Sequence, residues 1–277
     1  VRNDKNLGAH MNWLKSLELG RGEWLYLVMG RDRLNGEYIG KLIELLEYAR
    51  ENNITCLEDG YSKKQDIKIY TGIKAMIHFI STQHPTGTIF MREAFTAIHD
   101  REYYFTHSDM YPENYIRHDL LLNGKGASIT SGIYKYPNPI IDRMKIKSTV
   151  EYGRNIYDMF FAPARRTRQY LEMIDIIDSD ISGHFTAYER NKFFREKFND
   201  LLMSITKGWK NACINENWTA HYGQTVRTIT RQEQYSNIIQ AYRETKEHLK
   251  SKGRYSFMRK VIMLHMMIKR FRHVLFD

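Results

Sequence analysis

The sequence predicts an α/β half over residues 1–140, followed by a mostly α-helical region over residues 141–277. Three observations carry this reading. Helical and strand-like segments alternate through the first 60 residues, the pattern of a sheet with helices packed on it. After residue 150 strand-like alternation gives way to long helical periodicity. Between them, Tyr136-Pro137-Asn138-Pro139 sets two prolines close together, which interrupts helix and sheet alike.

The elements follow in order. Residues Asn12 to Leu19 carry helical spacing, with Trp13, Leu14 and Leu17 on the core side, and Gly20 and Gly22 stop the helix. Trp24–Met29 is a short apolar run, read as a buried strand that ends in Gly30-Arg31-Asp32-Arg33. A helix is predicted over 37–52, with Ile39, Leu42, Ile43, Leu46 and Ala49 as its apolar stripe. Ile54–Leu57 is a further strand, and the alternation points to a mainly parallel sheet. A helix over 71–81 meets the breaker His84-Pro85-Thr86-Gly87, and Thr88–Met91 is a strand. A helix over 111–122 ends at Asn123-Gly124, and Ser128–Tyr134 is read as one strand. Helical segments over 150–178, 186–214, 231–250 and 255–275 make up the second half.

Composition excludes several classes. A 277-residue chain can bury roughly 70–75% of its unfolded surface and needs no disulfide or metal to fold. Aromatics at 13%, with 5 Pro and 17 Gly, exclude a disordered or collagen-like chain. There is no apolar run of about 18 residues, as a membrane-spanning helix requires. Cys56 and Cys213 fit no metal or disulfide spacing and read as free thiols in a reducing compartment. No charged-then-apolar leader follows Val1. The net charge of +10 suggests an anionic partner. Nucleic acid is not expected, because the basic residues are spread along the chain and no binding motif is present.

One compound pattern carries chemistry. It begins Asn3-Asp4-Lys5-Asn6-Leu7-Gly8-Ala9, passes Asn12, and reaches Gly22-Glu23-Trp24-Leu25 before ending at Gly30-Arg31-Asp32-Arg33-Leu34. His84-Pro85-Thr86-Gly87-Thr88-Ile89-Phe90-Met91-Arg92 follows, then Ser108-Asp109-Met110-Tyr111-Pro112-Glu113, and Leu120 through Lys125. In order and spacing this closely resembles the central stretch of the family 2 glycosyltransferases, over residues 1–140. The resemblance implies an incomplete GT-A-like (Rossmann-like) mixed sheet with helices, without the N-terminal nucleotide-binding strands. Without those strands an open sheet edge is expected to be exposed, and a homodimer is one way to cover it.

The resemblance further implies an inverting transferase that moves a sugar from a nucleotide-diphosphate donor. The acceptor would be a saccharide or a polyprenyl-linked saccharide, in surface polysaccharide synthesis. Asp32 would hold a Mg²⁺ or Mn²⁺ ion on the diphosphate, with Arg31 and Asn6 also on the donor. Counting back from Gly124-Lys125, Glu113 matches the base that deprotonates the acceptor hydroxyl, with Asp109 close behind. Read by their own residues, these positions keep ordinary alternatives: Asp32 as a turn residue, Asp109 as part of a cap, Glu113 as an acid favoured by a helix N-terminus. Met29, Gly30 and Arg31 stand where further acids are common in the family. The alternative function is therefore a catalytically impaired, glycosyltransferase-like binding or membrane-associated module. The pairs His107/Asp109 and His118/Asp119 lack the spacing of a metal motif. From 241 to 277 there are ten Lys/Arg against three Asp/Glu. That segment reads either as a closing helix or as an interfacial helix on an anionic membrane. The expected location is cytoplasmic, either free or peripheral at the inner face of the membrane.

Overall fold

The computed structural model describes residues 9–28, 33–60, 67–81, 86–107, 112–135, 163–213 and 231–254. The chain divides into two compact units, Val1–Asp142 with Ile177–Phe193, and Arg143–Ile176 with Phe194–Asp277.

In the first unit, α1 (Ala9–Glu18) buries Leu14 and Leu17, and the chain then enters β1 (Trp24–Tyr26). Strand β1 is shorter than the apolar run that predicts it, although Leu27 still exchanges backbone hydrogen bonds with Thr88 and Gly87. After β2 (Arg33–Leu34), Asn35 caps a single 3₁₀ turn that leads into α2 (Ile39–Glu51). Next come β3 (Ile54–Asp59), β4 (Ile67–Thr71) and α3 (Gly72–Phe79). They are followed by β5 (Thr88–Met91), α4 (Arg92–Ala97), α5 (Arg101–His107) and α6 (Pro112–Leu122). Strands β6 (Lys125–Ile129) and β7 (Tyr134–Lys135) replace the single strand predicted over Ser128–Tyr134. The break falls around Gly132, whose φ of 82° no strand residue adopts.

Five strands form one sheet in the order β1-β5-β3-β6-β4, and β2 pairs with β7 in a separate two-stranded ladder. The sheet is mixed, but the expectation of mainly parallel pairing is corrected. Only β3 and β6 run parallel; β1–β5, β3–β5 and β4–β6 are antiparallel. A parallel return needs a crossover of a dozen or more residues, and the short link from β3 to β4 is too brief to supply one. Among the described residues β1 pairs on one side only.

Each face of this sheet carries helices. On one, Leu42, Leu45 and Ala49 of α2 meet Ile54, Leu57, Ile89, Ala127, Ile129 and Ile133, with Trp24, Tyr26, Leu46 and Ile67 around them. The predicted α2 stripe was too wide: Ile39 and Ile43 are 56% and 50% exposed, because they flank the arc that points at the sheet. On the other face α3 and α6 pack together over β3 and β6. Gly126 of β6 is required there, since a Cβ would collide with the Phe79 ring of α3. Successive strand residues alternate between the faces, so Thr88, Glu58 and Ser128, which are directly paired across β5, β3 and β6, share the α3/α6 side.

The second unit takes its described residues from α7 (Pro163–Asp180), α8 (Ala187–Cys213) and α9 (Arg231–Ser251). Its buried residues include Tyr170, Leu171, Ile174, Phe194, Phe198 and Leu249. Asp175 binds His248 at 3.2 Å and Lys252 at 2.8 Å, and the Arg254 guanidinium lies 4.2 Å over the Phe194 ring. The predicted helix over 255–275 lies outside the described residues. Among the described residues no helix is long and apolar enough to cross a membrane.

Candidate functional site

Helix α6 starts at Pro112, whose ring presets the backbone for a first helical turn, and Glu113 follows. An acid is expected in that turn, where the free backbone N–H groups favour negative charge. Exposure is not what is found: Glu113 is 1% exposed, and its Oε2 has no hydrogen-bond partner. Burial raises its pKa to about 7, against the opposing pull of Arg117.

Arg117, one turn further on, is fully buried. Its NH1 donates to the Phe79 carbonyl at 2.8 Å and to Asn114 Oδ1 at 3.4 Å, and NH2 donates to Thr88 Oγ1. Asn114 Nδ2 donates to the Ser81 carbonyl at 2.8 Å, while Ser81 N–H donates back to Asn114 Oδ1 at 3.3 Å. These bonds tie the start of α6 to the end of α3 and the start of β5. Glu58 lies beside Thr88 on the same face; burial raises its pKa and Arg117 lowers it. His78 of α3 sits over this row, its Nε2 2.6 Å from Ser128 Oγ and 3.9 Å from Glu58 Oε2. The His78 ring stacks on Tyr70 at 4.1 Å. Glu58 and Ser128 both lie at Nε2, so the cluster is no nucleophile–base–orienter triad, which needs the acid at the other ring nitrogen.

The carboxyl ends of β1, β3 and β6 meet at one edge of the sheet, the side where open α/β sheets bind ligands. Asp59 holds them together. Its carboxylate accepts from the Tyr26 hydroxyl at 3.0 Å, from Ser131 N–H at 2.9 Å and from the Ser131 hydroxyl. Burial raises its pKa, while those three donors lower it. Gly87, at φ 92°, crosses this edge so closely that a Cβ would stand 2.7 Å from the Asp59 carbonyl.

Of the site residues predicted from sequence, Glu113 is the one described, and it is buried in the first turn of α6. Asn6, Arg31, Asp32 and Asp109 lie outside the described residues. Sequence reasoning passed over Glu58, Asp59, His78 and Arg117. Its available signals were two acids and a glycine closing the Ile54 strand, and the four-residue spacing of Glu113 and Arg117, which puts both on one helix face.

Three nearby groups have other uses. Cys56 is fully buried and its thiol is pushed up to about 12 by burial, which removes it as a nucleophile. His118 Nδ1 lies 2.9 Å from Asp119 Oδ1, and Asp119 Oδ2 accepts from Tyr104 at 3.0 Å. Among the described residues no group of three or more His, Cys, Asp or Glu side chains is placed to hold a metal ion. Compared with known proteins, the chain matches no family model and no curated sequence.

Proposed function

We propose that the chain is an inverting glycosyltransferase, with Glu113 as the general base. The observation that carries the reading is the Glu113 carboxyl: buried, unpartnered at Oε2, and with its pKa pushed up to about 7 by burial. A base is most effective when its pKa lies near the operating pH, and an oxygen without a donor keeps its capacity to accept one further hydrogen bond. The acceptor, a saccharide or polyprenyl-linked saccharide, would give its hydroxyl proton to Glu113 as its oxygen bonds to the anomeric carbon of the donor. The bond from that carbon to the diphosphate breaks, and the nucleoside diphosphate leaves.

Asp32, with Arg31 and Asn6, is the proposed donor-binding set, and Asp32 is the carboxylate that would hold a Mg²⁺ or Mn²⁺ ion. Such an ion neutralises charge on the departing diphosphate. The edge closed by Asp59 supports the reading, because β1, after which Asp32 follows in sequence, ends at the same edge of the sheet as β3 and β6. The rest of the rate acceleration comes from holding the two substrates in line.

The test is a thermal-shift titration with UDP, GDP and dTDP, each with and without Mn²⁺. A ligand at 100 times its Kd stabilises by about 2.7 kcal/mol, a readable shift. The expected result is a metal-dependent shift with one nucleotide that Asp32→Ala abolishes. Glu113→Gln should keep that shift and lose sugar transfer. No shift with any nucleotide refutes a working donor site and leaves the alternative of an impaired, glycosyltransferase-like binding module.

A further inference from the structure

Buried arginines are costly unless their N–H groups are used, and Arg117 uses them to reach three elements at once. One guanidinium nitrogen is fixed by α3 and by Asn114 of α6, another by β5, so the group cannot swing without breaking the α3–α6–β5 junction. Its Nε is left without a partner, as is Glu113 Oε2 one helical turn away. An unused donor and an unused acceptor therefore lie buried four residues apart on one helix face.

We propose that Arg117 is a positioning residue that sets the proton affinity of Glu113, and that Thr88 holds it in place to do so. This rests on the reading of Glu113 as a general base, and it names what tunes that base. The physical argument concerns the ionised form. A carboxylate with so little to answer its charge in a sealed site does not survive at neutral pH; it takes up a proton instead. The fixed guanidinium supplies the missing counter-charge, so Glu113 can lose its proton within the physiological range rather than far above it.

The other titratable groups around this junction are accounted for. Glu58 and Cys56 of β3 feel the same guanidinium. His78 of α3 is turned to Ser128 of β6, with Glu58 beyond at 3.9 Å. His118 and Asp119, further round α6, are bound to each other, and Tyr104 of α5 holds Asp119. Helix α4 buries only Phe95 toward this side. Arg101 of α5 is the other permanent cation nearby and is held to the carbonyls of Phe95, Thr96 and Ile98, whereas Arg117 stands four residues from Glu113 on its own helix face.

The experiment is a ¹³C titration of the glutamate side-chain carboxyls in the intact protein, with the Glu113 signal identified by its loss in Glu113→Gln. The probe is the proton, so the result does not depend on any donor or acceptor binding. Arg117→Met, with its fold checked by its amide spectrum, should raise the Glu113 midpoint by about one pH unit or more, a tenfold gain in proton affinity. Thr88→Val, which keeps the charge but frees one end of the guanidinium, should raise it by less. Glu58→Gln should leave the wild-type direction of the Arg117 effect intact. A midpoint unmoved or lowered in folded Arg117→Met overturns the proposal. If that variant does not fold, Thr88→Val decides: a rise supports the proposal and an unchanged midpoint overturns it. A failed nucleotide titration would sink the glycosyltransferase reading alone.

Discussion

Replacing Glu113 with glutamine should make the protein less sensitive to rising pH, by an amount the structure sets. In the unfolded chain this acid has the ordinary value of 4.5, and in the fold burial raises it to about 7. A raised acid is a group the folded state prefers protonated. Its contribution is fully present below about pH 4.5 and is lost as pH climbs through about 7, where the fold must hold a buried anion. Every tenfold gain in proton affinity on folding is worth about 1.4 kcal/mol, so the rise from 4.5 to about 7 amounts to about 3 kcal/mol. Glutamine keeps the size and the neutral form and cannot ionise. Urea unfolding of both proteins at pH 4.5 and pH 8, followed by tryptophan fluorescence, measures the difference. Relative to wild type, Glu113→Gln should gain about 3 kcal/mol between the two pH values. Glu58 and Asp59, also raised, are present in both proteins and cancel. A stability difference that is equal at both pH values would refute the claim that Glu113 is sealed and protonated in the fold.

Other expectations follow from single contacts. Ser131→Ala removes two of the roles Ser131 plays at the Asp59 clasp and should cost about 1–3 kcal/mol in urea unfolding; a loss below about 0.5 kcal/mol would show the clasp to be idle. Gly126→Ala should destabilise by about 1–3 kcal/mol through its clash with Phe79, and adding Phe79→Leu should recover part of that loss; simple additivity would contradict the packing described. Cys56 should resist a thiol reagent at pH 8 in a Cys213→Ser background until urea unfolds the protein, and prompt labelling of the native state would be inconsistent with its burial.

How much of this was legible depended on the range of the interaction. Thr88–Met91 could be read as a strand because its apolar residues are contiguous and a glycine precedes them, and α6 was placed to within a residue, its end by the Asn123-Gly124 stop. The short helices α4 and α5 were not read, since a helix of one or two turns is held by its neighbours rather than by its own periodicity. Strand β3 proved longer than its apolar run because Glu58 and Asp59 continue the ladder while their charges are answered from elsewhere. Those answers come from Arg117, Tyr26 and Ser131, none of them near in sequence. The Glu113 position was visible as an acid at a helix start. Its burial was not, because no local pattern reports the packing of α6 against α3, α5 and β3.

The Asp59 clasp also sets a schedule for synthesis. Its carboxylate is gripped by Ser131, 72 residues downstream, and β3 finds its parallel neighbour only when β6 has been made. A ribosome adds about 5–20 residues per second, so the β3 segment waits on the order of 4–14 seconds for the residues that complete it. Until β5 arrives within that interval, Ile54, Cys56 and Leu57 have no strand to pair with, and the acids beside them remain hydrated and ionised. Glu58 and Asp59 then act as charged guards on an apolar strand that would otherwise pair with any exposed edge. The same two acids that burden the finished fold keep its unfinished form from sticking.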